Sequence, residues 1–177
     1  MINIHEKTLQ DLDFDTVLEQ VSQYCITDLG KNRVLDIRPF KTGEALLDEL
    51  NLTNEYLSSF YNENRIPSHG FEPLTKELQL LNIENSFLET SGFKKIESIS
   101  TTCNEILKFL KTFQEYYPTL FNYASAIEIT NVLIDEINKI IDRFGDVKDN
   151  ASANLQSLRH SINSVKGKIN QSFATAL

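Results

Sequence analysis

The side chains able to do chemistry are scattered along this chain rather than gathered. Two glycine–lysine pairs, Gly30-Lys31 and Gly167-Lys168, are the places where a phosphate-cradling loop could close. A P-loop needs Ser or Thr after its lysine and an earlier glycine to open the turn. Here Asn32 and Ile169 follow the lysines, and Cys25 and Ile162 hold the earlier glycine positions, so neither pair qualifies. His5, His69 and His160 stand apart, and Leu9 occupies the place where a zinc helix starting at His5-Glu6 needs its second histidine. Cys25 and Cys103 are far apart, each in an apolar-periodic stretch. That pattern predicts two buried, reduced core thiols rather than a disulfide, a metal pair or a nucleophile beside its base. The acids Asp11/Asp13/Asp15 and Asp48/Glu49 fall at helix starts or on polar faces. Carboxylates there cap helices or stay solvated rather than exchange protons with a substrate. Lys108, Phe109, Lys111 and Phe113 mix cations with rings that could stack on bases. They lie on a strongly periodic helix, which assigns the rings to core. No catalytic, cofactor-binding or metal-ligating residue is therefore assigned.

The elements that would position such groups are helices. Six Gly and four Pro in 177 residues are too few for a sandwich or barrel of many tight turns, and an apolar fraction of 41% places the chain outside the disordered regime. This length has room for one domain, or for one with an appendage. Residues 1–149 hold 14 Lys and Arg against 25 Asp and Glu, a balance of −11. Residues 150–177 hold Arg159, Lys166 and Lys168 and no acid, a balance of +3. Most of such a surface repels phosphate. Only the last helix tolerates it, so nucleic-acid binding by this chain is expected to be weak or absent. His5, Glu6, Lys7, Asp11 and Asp13 interrupt any N-terminal apolar run, and no stretch approaches the length of a membrane span, which reads as cytoplasmic with no membrane contact.

Apolar spacing predicts helices over about 14–25 with Asp13 as N-cap, from Thr27 to Pro39, and over 43–63 capped by Thr42. The inward faces are Phe14, Val17, Leu18, Val21, Tyr24 and Cys25, then Leu29, Val34 and Ile37, then Leu46, Leu50, Thr53, Tyr56, Leu57 and Phe60. Gly30 is expensive in an exposed helix and suggests close approach of a neighbour. A loop runs through Asn62–Gly70, Pro73 opens a short helix to Leu81, and 82–88 is either loop or a short extended piece. A long helix from Thr90 or Ser91 to about Tyr117 ends at Pro118, with a helical turn around Leu120–Tyr123. The next helix, about 127–143, is dense in β-branched residues, so a strand is a local alternative there. The last, about 151–177 with Asp149 and Asn150 as cap candidates, carries Leu155, Leu158, Ile162, Val165, Ile169 and Phe173 at near-heptad spacing. No stop signal follows that stripe, so the chain reads as a piece of something longer, all-α, with a core at 1–149 and a truncated lever-like helix at 150–177.

Three stretches then resemble the MutS superfamily, specifically its second-type bacterial paralogue that ends in a small-MutS-related nuclease domain. Thr8-Leu9 through Leu12, Phe14 and Val17-Leu18 is similar to that family's opening motif. Cys25, Thr27, Leu29-Gly30-Lys31, Leu35 and Pro39 are similar to a segment of the MutS core domain. Gly145-Asp146-Val147-Lys148-Asp149 with Ser152, Leu155, Leu158 and Arg159 resembles the turn before the arm that leads to the clamp. Phe144 departs from the acidic residue often found before that glycine, and residues 61–92 carry no distinctive family pattern.

The resemblance implies a multi-helix core domain of MutS type with a long C-terminal lever helix. It implies a parent that dimerises, uses ATP and Mg, clamps branched DNA or a collided ribosome, and carries a C-terminal nuclease. None of those functional sites maps onto a residue of this chain, which is expected to be non-catalytic and to couple the parent's ATPase state to its clamp. The alternative is a stand-alone helical adaptor that pairs with a partner through its terminal coiled coil.

Overall fold

The computed structural model describes residues 4–176, and the expectations for residues 1–3 and 177 lie outside them. The described residues form an all-α chain of nine helices, with one isolated antiparallel bridge, Ile141 with Val147, in place of a sheet. The helices are α1 (Glu6–Asp11), α2 (Phe14–Ser22), α3 (Asp28–Leu35), α4 (Gly43–Ser58), α5 (Thr75–Leu81), α6 (Thr90–Thr112), α7 (Pro118–Ala124), α8 (Val132–Ile140) and α9 (Ala153–Ala176). Neighbours in sequence pack in the first group, α1 on α2 and α2 on α3. Then α4 packs on α7, α7 on α6, and α6 on α8.

Local chemistry explains most boundaries. The Thr27 hydroxyl accepts the Gly30 N–H at 3.0 Å, and Thr42 accepts the Ala45 N–H at 3.3 Å, so both predicted threonine caps form. Asp13 does not cap. It sits at φ 50° without a side-chain bond, because the chain must reverse in the two residues between α1 and α2, and Asp tolerates that left-handed state. A Cβ on Gly30 would lie 3.1 Å from the Thr27 hydroxyl and 3.5 Å from the Cys25 Cβ. The close approach is thus to the α2–α3 connection rather than to another helix. Pro73 lies before the cap residue Leu74 of α5. The α6 helix stops at Thr112, well short of Pro118, which instead opens α7. The β-branched run is helix, narrowed to Val132–Ile140.

The core is small. Ile96 of α6, Ile137 of α8 and Ile141 form its centre, with Leu74, Leu88 and Phe93 against them. Beside it, Tyr117 is fully buried and donates its hydroxyl to the Asn64 carbonyl at 2.6 Å, while its ring packs on Phe109. The core assignment of Phe109 and Phe113 holds, since both rings are half-buried and stack at 4.8 Å between centroids. The thiol assignment does not hold: Cys25 is half-buried and Cys103 is exposed. The α6 face turns inward at Asn104 instead, which bonds the Thr130 carbonyl at 2.8 Å, the Asn131 side chain at 3.1 Å and the Thr130 N–H at 3.3 Å. That rotation carries Cys103 outward.

The α4 face is also rotated from expectation. Leu52, Glu55 and Ser59 turn inward, and Leu46, Leu50 and Leu57 stay exposed. Glu55 accepts the Thr119 and Leu120 N–H groups, both at 2.8 Å, supplying the first turn of α7 with the acceptor its missing cap would have given. The whole surface measures 14075 Å², against about 8,800 Å² for a compact monomer of this mass. Much apolar area therefore remains bare.

Candidate functional site

The place where geometry concentrates is the connection from α8 to α9. Ile141 leaves α8 in extended conformation and is buried with Ile96 and Ile137. Its neighbour Asp142 builds the turn: one carboxylate oxygen accepts the Phe144 N–H at 2.8 Å and the Asp146 N–H at 3.0 Å. The backbone closes the loop, with Asp142 N–H on the Asp146 carbonyl at 2.9 Å and Lys148 N–H on the Ile140 carbonyl at 2.8 Å. Gly145 stands at φ 92°, a conformation that side chains other than hydrogen resist. The Asp146 N–H above all, with the Phe144 and Gly145 N–H groups and the charge of Lys148, holds the Asp142 carboxyl below the ordinary aspartate value, against a desolvation that acts the other way. Phe144 is exposed and lies under the Arg143 guanidinium at 4.6 Å. The residue that departs from the family pattern therefore leaves the turn's hydrogen bonds intact, because Asp142 makes them.

The α9 helix is tied to this turn through its own side chains. Arg159 donates to the Val147 carbonyl at 2.8 Å and to the Asp149 carboxylate. Lys148 donates its ammonium to the Asn138 carbonyl of α8. The cap is Ser152, whose hydroxyl accepts the Leu155 N–H at 3.2 Å, not Asp149 or Asn150. Asp149 is spent on Arg159 instead. That ion pair is open to solvent, its side chains 38% and 78% exposed, and pairs of this kind contribute about 0–1 kcal/mol. The guanidinium's bond to the uncharged Val147 carbonyl is a charge-assisted hydrogen bond and is less sensitive to salt than the ion pair. Thr90, Gly145, Asn150 and Arg159 help to line an open polar groove of about 750 Å³ over the junction.

Beyond Arg159, among the described residues, no comparable side-chain tie holds α9. Leu158, Ile162, Val165, Ile169 and Phe173 are between 49% and 68% exposed. The three sequence motifs fall on α1–α2, on the α2–α3 connection with α3, and on this junction. Gly30 and Lys31 lie inside α3, and Gly167 and Lys168 inside α9, so neither glycine opens a loop of free N–H groups for phosphate. Among the described residues no cluster of three or more His, Cys, Asp or Glu could hold a metal ion. His69 bonds the Tyr56 hydroxyl at 3.2 Å and the Pro67 carbonyl at 3.0 Å, a structural pairing that ties the loop to α4. Sequence spacing did not point to Asp142, Asn104 or Glu55. Only the glycine after Phe144 marked the junction as a turn.

An all-α core that launches a long helix through a pinned turn defines the class: an all-α module with one extended helix held at its root. Comparison with known proteins narrows it. No family model matches the sequence. The chain is 30% identical over 175 residues to the endonuclease MutS2 of Staphylococcus carnosus (strain TM300), and 29% identical over 175 residues to that of Staphylococcus haemolyticus (strain JCSC1435). It is 28% identical over 174 residues to that of Staphylococcus aureus (strain MRSA252). Each alignment covers 95% of this chain and 22% of the relative. The resemblance to second-type MutS thus holds along nearly all of this chain, which spans about a fifth of the length of those relatives. No described helix is long and apolar enough to cross a membrane.

Proposed function

We propose that this chain is the core and lower lever of a MutS2-type protein, and that it transmits nucleotide-driven movement to a clamp while doing no chemistry itself. ATP and Mg would bind elsewhere in that protein, a cytoplasmic homodimer whose clamp closes on branched DNA or a collided ribosome. The observation that carries this reading is the junction. Ile141 belongs to the α6–α8 core, pairs with Val147, and Val147 in turn holds Arg159 of α9. A rotation of α6 and α8 therefore reaches α9 through rigid contacts rather than through a slack loop. The 1–149 core and the helix beyond it act as base and arm.

The test uses the full-length protein carrying this segment, with Arg159→Ala, which cuts the tie and leaves the nucleotide site untouched. Basal ATP hydrolysis should persist, and stimulation of that hydrolysis by branched DNA or by ribosomes should fall severalfold. Whichever ligand stimulates the unaltered protein identifies the clamp's target. Unchanged stimulation in the variant would remove the coupling role.

A further inference from the structure

Few ion pairs join separate parts of this chain. Six pairs form among the described residues. Lys31–Asp28, Lys94–Glu97 and Lys139–Glu136 each stay within one helical turn. Another is the Arg159–Asp149 pair at the root of α9. The last two share one ammonium: Lys95 of α6 reaches Glu72 at 3.1 Å and Glu77 of α5 at 3.3 Å. Residues 72–88 are thereby held to α6 at two points. This segment is closed on itself, since the Ser86 hydroxyl donates to the Leu80 carbonyl and the Asn82 side-chain amide to the Leu78 carbonyl at 3.2 Å. It also lies on the core, because Leu74 and Leu88 pack against the cluster of Ile96, Ile137 and Ile141. At Gly92 of α6 the approach is close: a Cβ there would stand 3.3 Å from the Glu77 Cγ.

The Glu77 carboxylate makes this contact conditional. Its side chain is only 12% exposed, and its second oxygen is buried with no hydrogen-bond partner among the described residues. A carboxylate so placed is tolerated while the Lys95 ammonium faces it. Without that ammonium a buried charge is left unpaired, which destabilises far more than the pair itself had stabilised. The favoured state is then one in which Glu77 returns to water, and α5 lifts with it. Lifting takes Leu74 and Leu88 off the cluster that buries Ile141, the residue leading into Asp142 and the junction turn. We propose that residues 72–88 are a strap, latched by Lys95 through Glu72 and Glu77, whose release loosens the turn at the root of α9. The strap adds a control point to the lever reading without resting on it, because the junction can be followed with neither nucleotide nor clamp present.

Amide hydrogen exchange of the 177-residue chain, followed residue by residue by NMR, tests the strap, with circular dichroism confirming that each variant keeps its helices. Lys95→Gln should speed exchange of the Leu78 and Asn82 amides on the strap, and of the Asp142 and Lys148 amides in the junction, by about tenfold. The Leu120 amide, held by Glu55, should keep its rate. Lys94→Gln, which breaks an ion pair inside α6, should leave both sets unchanged. Adding Glu77→Gln to Lys95→Gln should slow both sets again, because a neutral amide needs no counter-charge. Unchanged strap exchange in Lys95→Gln overturns the proposal. So does faster strap exchange with the junction amides unmoved. A double variant as open as the single one also overturns it, since release would then come from lost packing rather than from the stranded charge.

Discussion

Two long helices of nearly equal length meet opposite fates in this molecule. The α6 helix, Thr90–Thr112, buries Gly92, Ile96, Asn104 and Leu110 and is gripped by α7 and α8. The α9 helix, Ala153–Ala176, is pinned at its start and, among the described residues, exposes the stripe from Leu158 to Phe173. Both sequences show the same apolar period. Periodicity reports that a helix has an apolar face. It is silent on whether a partner for that face is within reach. The contrast also separates two kinds of function. A helix gripped along its length can carry load between neighbours, and one gripped at its root can move a distant tip.

The sharpest way to break the contrast is to cut the same methyl groups from both helices' surroundings. Ile137→Ala opens a cavity between α8 and α6 and should cost about 3 kcal/mol in urea unfolding. Ile169→Ala removes an exposed side chain from α9 and should cost about 0.5 kcal/mol or less in a monomeric sample. Equal losses would mean that the α9 stripe is covered. Next in size is Asn104→Ala, which leaves the Thr130 N–H and carbonyl without their buried partner and should cost about 2 kcal/mol. The same substitution at exposed Asn163 of α9 should be nearly silent. A silent Asn104→Ala would show that the inward turn of α6 does not depend on this residue.

How much of this was legible in the sequence follows from the same physics. The helical class, the Thr27 and Thr42 caps and the segment before α9 as a turn all follow from local chemistry, and local chemistry is what a sequence prints. Inward faces were less legible. On α4 the leucines Leu46, Leu50 and Leu57 were expected inside, yet Glu55 faces α7, because satisfying two free N–H groups of α7 outweighs one apolar contact. On α6 the expected Cys103 gives way to its polar neighbour Asn104, for the like reason that Thr130 and Asn131 need a partner. The junction's glycine was visible, but Asp142 was not, since an aspartate two residues before an unbonded amide looks like any other surface acid.

The remaining predictions concern the root of α9. Gly145→Ala forces a Cβ into φ 92° and should cost about 1 kcal/mol or more. Gly167→Ala, in the open middle of α9 with no heavy atom near its would-be Cβ, should instead stabilise by up to about 1 kcal/mol. Opposite signs from one substitution would separate the strained root from the plain helix beyond it.

The smallest expected effect is local and depends on pH. Asp142 is acidified on folding by the N–H groups it accepts, so its carboxyl titrates below the ordinary value of 3.8. A carboxylate of this kind adds stability that is complete above its unfolded value and disappears as pH falls through the lower folded one. The turn should therefore stay closed at pH 3.8 and open only in more acidic solution. Titration of the Asp142 carboxyl carbon and of the Phe144 and Asp146 amide protons by NMR reads this directly, and all three should share one midpoint below 3.8. Asp142→Asn should abolish that shared transition and leave the Ile96–Ile137 contacts of the core unmoved. A midpoint at or above 3.8 would mean that Asp142 does not hold the turn, and that the direction of α9 rests on Arg159 and the bridge between Ile141 and Val147.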